Sequence, residues 1–208
     1  MIRWLDQVVS APADQPLPLE IKEAMQRVTR QTAFDPSTWT PERAAKVAAL
    51  FDGMAAEWNE RQTGISRYDA LVDALERGDV GTGTCVEIGS GSGLATPLLV
   101  QHFGTVVGLD LSAAMIVQGS GRRVQGDANH LPFATGTFDA AVLVNALLFP
   151  REVDRVVAPD GVVLWVNTRG DDTPIHLPPE DVAEALPGEW SGAAAAAGLG
   201  IWAVLRRR

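Results

Sequence analysis

A strand, a glycine turn and a second strand with an acidic end follow one another between residues 84 and 112. Thr84–Ile88 is a short β-branched and apolar run bounded by glycines, which predicts a parallel strand buried on both faces. Three alternating glycines form the turn that follows: Gly89, Gly91 and Gly93. Glycine adopts positive φ and has no Cβ, so this backbone can approach a ligand before the next helix begins near Leu94. The pattern predicts an α/β fold with a nucleotide-type cofactor site.

The second strand ends at a carboxylate. Asp110 lies 21 residues after Gly89, at the end of the next apolar run. A carboxylate in this position can accept hydrogen bonds from both hydroxyls of a ribose. The alternative is that Asp110 caps a short helix over Ser112–Gly119.

The glycine spacing distinguishes between cofactors. The dinucleotide fingerprint G-x-G-x-x-G/A places its third small residue at position 94, where this chain has Leu94. Leucine is too bulky for the close packing of helix on strand that the third glycine permits, and the third glycine here is Gly93. Leu94 therefore argues against a nicotinamide-dependent oxidoreductase, which remains an alternative function.

With Glu87 included, the motif E-x-G-x-G-x-G resembles that of the class I S-adenosylmethionine-dependent methyltransferases. The similarity continues over residues 57–207, where the order of elements is more specific than any one motif. It implies a doubly wound α/β sheet of seven strands, six parallel and the last reversed, closed by an antiparallel hairpin at Trp190–Arg207. It also implies S-adenosylmethionine as the cofactor and methyl transfer as the reaction.

The resemblance assigns cofactor contacts at the ends of successive strands. Asp127 and Ala128 follow the third strand, where the family binds adenine, and the fourth strand begins at the pair Phe138 and Asp139 and ends at Asn145. The cofactor-binding candidates are Glu87, Gly89, Ser90, Gly91, Gly93, Asp110, Leu111, Met115, Asp127, Ala128 and Asn145. Asp127 has the alternative role of a turn residue. Glu87 lies in an apolar strand and needs a strong partner, either the ligand's amino group or amides of the loop.

Residues 1–80 form a predicted helical lid before the cofactor domain of residues 81–208. Apolar residues at helical spacing predict one helix around Leu19–Val28 and a second that starts at Thr40 and Pro41 and includes Trp58. A third helix is expected from about Arg67 to Arg77. Its inward-facing residues are predicted to be Leu71, Val72 and Leu75.

Three side chains are candidates for contact with the methyl acceptor: Trp58, Tyr68 and His176. Phe51 and Trp58 belong to the predicted lid, although packing against the helices that flank the sheet is the preferred explanation for both. His176 lies in the loop after the fifth strand, at the edge where doubly wound folds bind ligands. Glu57 and Asp172 are weaker candidates, and no catalytic base is assigned.

Charge and composition narrow the possible partners. The chain has 17 basic and 26 acidic residues and a net charge of −9, which repels a phosphate backbone. We therefore expect no nucleic acid and a small-molecule acceptor. The N-terminus lacks a cleavable apolar segment, no stretch predicts a membrane span, and Cys85 is the single cysteine, so we expect a cytoplasmic protein without disulfides or bound metal. A binding or regulatory protein without turnover is the second hypothesis.

Overall fold

One mixed sheet forms the centre of the molecule. The structure is a computed structural model that describes residues 1–12, 19–61 and 68–208. Its strands, in chain order, are β1 (Ile2–Trp4), β2 (Thr84–Ile88), β3 (Thr105–Asp110), β4 (Arg122–Gln125), β5 (Phe138–Val144), β6 (Val157–Asn167), β7 (Trp190–Ala197) and β8 (Gly200–Arg207).

The strand order is β1-β7-β8-β6-β5-β2-β3-β4, and β8 is antiparallel to both of its neighbours. Strands β2 to β8 confirm the predicted arrangement of six parallel strands and a reversed last strand. The predicted count of seven is wrong by one, because β1 pairs in parallel with the outer edge of β7. Three residues at a sheet edge are too short to show a hydrophobic period, so no pattern marks this strand.

Helices cover both faces of the sheet. They are α1 (Leu19–Phe34), α2 (Pro41–Arg61), α3 (Asp69–Arg77), α4 (Thr96–His102), α5 (Ala113–Ile116), α6 (Pro150–Val156) and α7 (Pro179–Ala185). Helix α2 starts at Pro41 as predicted, with the Thr40 hydroxyl accepting a hydrogen bond from the Arg43 amide at 3.3 Å. None of the described helices combines the length and apolar character needed to span a bilayer.

The third helix differs from its prediction in one position. It ends before Gly78 as expected, and Leu71 is fully buried. Val72, predicted to face inward, is 37% exposed because the buried face of the helix lies along Ala70, Leu71 and Ala74. The expected start at Arg67 lies outside the described residues.

A side-chain contact aligns the beginnings of β2 and β5. The Asp139 carboxylate accepts hydrogen bonds from the Thr84 amide at 2.6 Å and the Thr84 hydroxyl at 2.8 Å. A Cβ at Gly83 would lie 2.1 Å from Asp139 Oδ2, so the approach requires glycine there. Since β2 pairs with β3 on one side and β5 on the other, the chain reverses its direction of sheet growth at β2. Ligands of doubly wound folds bind at the carboxyl ends of the strands at such a point.

An ion pair with a buried carboxylate fixes α3 against β8. Asp73 on α3 is 3% exposed and accepts hydrogen bonds from Arg77 Nε at 2.7 Å and Trp202 Nε1 at 2.6 Å. Burial acts to raise the pKa of Asp73, but the hydrogen bonds from Arg77 and Trp202 hold this pKa below its ordinary value. The pair thereby joins α3 to the buried indole of β8.

We expect Asp73→Ala to lower the free energy of unfolding by about 3 kcal/mol, because it leaves the buried Trp202 indole without its acceptor and the Arg77 guanidinium without its carboxylate partner. Urea denaturation should show a lower midpoint at an unchanged slope. Glu76→Ala, at an exposed position of the same helix, is the matched control and should change stability by less than about 0.5 kcal/mol. Equal midpoints for the two variants would contradict this role of Asp73.

Candidate functional site

A cavity of about 800 Å³ lies between the carboxyl ends of the strands and helices α1 and α2, which we call the lid helices. Ten of the eleven predicted cofactor residues line it: Glu87, Gly89, Ser90, Gly91, Asp110, Leu111, Met115, Asp127, Ala128 and Asn145. The eleventh, Gly93, lies behind this wall, where its Cα faces the guanidinium of Arg123. The tertiary structure thus brings the predicted set together from four strand ends.

The glycine loop requires its glycines for different reasons. Gly89, Gly91 and Gly93 all have positive φ, at 71°, 54° and 83°. A Cβ at Gly89 would lie 2.6 Å from the Ala146 Cβ, so this glycine lets β2 approach the segment after β5. A Cβ at Gly91 would meet only Trp58 Nε1, at 3.8 Å, so its open side faces the cavity.

Asp110 joins the loop to the end of β3. One carboxylate oxygen accepts a hydrogen bond from the Gly91 amide at 2.7 Å and the other from the Ser112 amide at 2.8 Å. Burial raises the pKa of Asp110, and these two amides act against that rise. Each oxygen of an ionised carboxylate has a further lone pair, so Asp110 can still accept two hydrogen bonds from a ligand.

Glu87 is the most deeply buried carboxylate of the site. It is 2% exposed, and burial raises its pKa to about 7, with the nearby Asp110 charge adding to the rise. The Thr96 hydroxyl donates to Glu87 Oε2, and this bond and the Arg123 charge act in the opposite direction. The described contact of Glu87 is thus to a hydroxyl of the following helix and not to the expected amides of the loop; the ligand's amino group, the other expected partner, stays a prediction.

Asp127 is bound by a lid residue that sequence reasoning did not single out. Trp39 Nε1 lies 2.9 Å from Asp127 Oδ2 and 3.1 Å from Oδ1, and the Asn129 amide donates to Oδ1 at 2.8 Å. The Trp39 ring also packs edge-on against Phe149, with 5.0 Å between ring centroids. Its only sequence signal was an aromatic residue within a turn-rich link, 88 positions away from its partner.

Asn145 joins the ends of β5 and β6 at the floor of the cavity. Its Nδ2 donates to the Thr168 hydroxyl at 2.7 Å, and its Oδ1 accepts from the Thr168 amide at 2.9 Å. The residue has φ of 52°, a left-handed conformation that is uncommon outside glycine and is often found at functional sites. Asn145 therefore meets the cavity with a side chain that is already fixed.

The lid helices supply the apolar wall opposite the carboxylates. Trp58 and Tyr68 both line the cavity, and Trp58 packs edge-on against Phe51 at 5.7 Å between centroids. The apolar lining from the lid helices is Met25, Val28, Val47, Leu50, Phe51, Met54 and Trp58.

Helix α2 is tied directly to the loops that hold the predicted cofactor residues. The Ser112 hydroxyl and the Ala114 amide both donate to Asp52, and these bonds hold the pKa of Asp52 below its ordinary value. The Ser92 hydroxyl donates to Asn59 Oδ1 at 2.5 Å. The apolar wall therefore has a defined position relative to the glycine loop.

His176 lies in a separate surface cleft and does not line the cavity. Its Nδ1 is 2.9 Å from Asn167 Oδ1, and its Nε2 is 3.3 Å from Asp171 Oδ1. Burial lowers the pKa of His176. The loop after β6 turns back over the sheet, where Trp165 Nε1 donates to the Leu177 carbonyl at 3.2 Å, and this turn directs His176 away from the predicted site.

Residues 86–165 match the model of a methyltransferase domain family. The demethylmenaquinone methyltransferase of Mycolicibacterium paratuberculosis is 31% identical over 157 residues, which span 68% of this chain and 68% of that relative. The chain belongs to the class I S-adenosylmethionine-dependent methyltransferases. This family excludes the nicotinamide-dependent alternative.

Further similarities agree with this assignment. The demethylmenaquinone methyltransferase of Thermobifida fusca is 33% identical over 129 residues, but the match covers only 54% of this chain and 53% of that relative. A solved methyltransferase structure from Aquifex aeolicus, 15% identical, superposes with a TM-score of 0.57 over 80% of this chain and 98% of that one. This structural likeness supports the fold of the methyltransferase.

The buried Glu87 makes the stability of this methyltransferase depend on pH. Its pKa rises from 4.5 to about 7 on folding, so the folded state retains a proton that the unfolded state releases, and stability falls as the pH rises from 4.5 through 7. We expect Glu87→Gln to remove this loss, which is on the order of 3 kcal/mol at full ionisation. The free energy of unfolding of Glu87→Gln should therefore rise relative to that of the wild type as the pH increases from 5 to 8.

Urea denaturation at several pH values measures the difference. Glu23→Gln, at an exposed position on α1, is the matched control and should follow the wild-type profile. Parallel profiles for the wild type and Glu87→Gln would contradict the buried, proton-retaining state of this carboxyl group.

Proposed function

We propose that the cavity binds S-adenosylmethionine and that the enzyme transfers its methyl group to a small, largely apolar acceptor held against the lid helices. The observation that supports this most strongly is the division of the cavity into a carboxylate side and an apolar side. Glu87, Asp110 and Asp127 lie on the first side, at the ends of β2, β3 and β4.

The residues of the carboxylate side match the polar groups of this cofactor. Its ribose hydroxyls, adenine amine and ammonium group are hydrogen-bond donors, and ionised carboxylates are acceptors only. Asp110 would accept from the ribose, Asp127 from the adenine amine, and Glu87 lines the cavity beside the loop that would receive the charged amino acid end. Gly91 leaves the space that a backbone contact with the ligand needs.

The bound cofactor supplies an activated methyl group, and the protein must align the acceptor and exclude water. The Trp39 bond to Asp127 and the Asn59 bond to Ser92 attach the lid to both ends of the proposed cofactor site. A lid held in this way would cover the reacting groups and keep the acceptor in line with the methyl carbon.

The apolar wall supports an acceptor with a hydrophobic ring or chain. Seven lid side chains and Phe149 present little that could bind a strongly polar molecule. Two relatives are named demethylmenaquinone methyltransferases, and we propose an acceptor of that apolar, ring-containing type. The net charge of −9 also favours such an acceptor over a nucleic acid.

Calorimetric titration with S-adenosylmethionine and S-adenosylhomocysteine tests the cofactor site. The wild type should bind both, and Asp110→Ala should lose at least about 100-fold in affinity because it removes the ribose acceptor and releases the Gly91 amide. Asp160→Ala, at an exposed position of β6, should bind like the wild type. A folded wild-type protein that binds neither compound would refute the cofactor proposal.

A charge placed in the apolar wall tests the acceptor class. Leu50→Lys should slow methyl transfer from labelled S-adenosylmethionine to demethylmenaquinone by about tenfold or more, because the ammonium would have to lose water against an apolar ring. The affinity of the Leu50→Lys variant for S-adenosylhomocysteine should differ from that of the wild type by less than about twofold. Both oxidised and chemically reduced demethylmenaquinone, dispersed in detergent, would be offered.

Val100→Lys is the matched control, because Val100 on α4 is 59% exposed, close to the 56% of Leu50, and lies outside the cavity wall. The acceptor proposal fails if both lysine variants transfer methyl groups at equal rates. Transfer to polar amines or carboxylic acids, but not to the quinone, would also refute it and leave the cofactor site intact.

A further inference from the structure

A partly buried arginine lies directly behind the glycine loop. Arg123 projects from β4, the strand at the sheet edge, and its Nη2 donates to the Ser90 hydroxyl at 3.1 Å and to the Gly91 carbonyl. These two residues form the turn whose opposite side lines the cavity. Arg123 itself does not line the cavity, so it reaches the site only through the loop.

Two glycines make the space that this guanidinium occupies. A Cβ at Gly93 would lie 2.5 Å from Arg123 Nη1, and a Cβ at Gly119 would lie 2.5 Å from its Cζ. Gly119 does not have positive φ, so its lack of a side chain is explained by this contact and not by its backbone. At Gly93, the contact with Arg123 adds to the positive φ, and both require glycine although the residue lies behind the cavity wall.

The residues around Arg123 do not satisfy all the hydrogen-bond donors of its guanidinium. Arg123 Nε and Nη1 are buried and have no hydrogen-bond partner among the described residues. Buried donors without partners destabilise a fold and call for an explanation. Here the compensation is electrostatic, because Arg123 favours the ionised forms of both Glu87 and Asp110 and lowers the pKa of each relative to burial alone.

We propose that Arg123 is a positioning residue of the cofactor site, which holds the Ser90–Gly91 turn from behind and partly neutralises the two buried carboxylates. The inference rests on the proposed function, because the turn and the carboxylates are the groups that would bind S-adenosylmethionine. Without Arg123, the loop loses two hydrogen bonds and the carboxylates hold their protons to higher pH.

The groups that face Glu87 define the pH dependence to expect. They are Arg123 from β4, Asp110 from β3 and Cys85 on the same strand. Asp110 and Arg123 act in opposite directions, so removal of Arg123 leaves only the like charge and raises the pKa of Glu87 further above 7. Affinity that depends on the ionised carboxylate should then be lost most at neutral pH and recovered at high pH.

The test is calorimetric titration of the full chain with S-adenosylhomocysteine between pH 6 and pH 9. We expect Arg123→Met to bind about tenfold more weakly than the wild type at pH 7 and by a clearly smaller factor at pH 9, where only the loss of the two hydrogen bonds to the turn remains, and Arg123→Lys to recover part of the loss. A purely structural role would weaken binding by the same factor at every pH. Equal affinity and pH profile in Arg123→Met and the wild type would overturn the inference.

A second variant leaves Arg123 in the sequence and displaces it. Gly119→Ala places a methyl group against the guanidinium and should reproduce the direction of the Arg123→Met effect, and in the Arg123→Met background it should add little. Gly53→Ala is the matched control, since its Cβ would meet no atom within 4 Å. If Arg123→Met does not fold, Gly119→Ala decides, and wild-type binding by that variant overturns the inference. Failure of the wild type to bind would instead refute the proposed function.

Discussion

The two hydrogen bonds from backbone amides to Asp110 form the contact on which the candidate site depends. They join the turn after β2 to the turn after β3, and the Ser90 amide adds a bond to the Leu109 carbonyl at 2.9 Å. Because both turns lie where the sheet changes its direction of growth, a single carboxylate sets the shape of the cavity's polar side. The cost of burying Asp110 is offset by these amides and by the Arg123 charge.

The lid adds the second side of the cavity and is attached by a few polar contacts. Trp39, Asp52 and Asn59 each bind a residue of the strand-end loops. Residues 1–80 also supply β1, which extends the sheet, and α3, which packs against β8. The boundary at residue 80 between a lid and a cofactor domain therefore stays a proposal, in which α1 and α2 are the part that covers the cavity.

Local patterns predicted the sheet and the cofactor candidates because each depends on residues close together in sequence. The apolar runs, the glycine turn and Asp110 locate β2 and β3, and the resemblance to the family adds β4, β5 and the other predicted residues that line the cavity. The predicted placement of His176 near the acceptor depended on the path of a long loop. A loop's path depends on where its side chains pack. Here Trp165 and Asn167 of β6 form hydrogen bonds with Leu177 and His176, which hold the loop against the sheet.

The sequence by itself determined the glycine loop and the strands beside it, because apolar runs and glycine's backbone freedom act over a few residues. Its motifs also carry the resemblance that implied the doubly wound fold and the carboxylates at the strand ends. Only the tertiary structure decided that Trp39 binds Asp127, that Arg123 occupies the space left by Gly93 and Gly119, and that Leu50 and Phe51 line the cavity. The Trp39–Asp127 and Gly93–Arg123 contacts join residues tens of positions apart. They arise from packing of whole helices on the sheet, which no local pattern records.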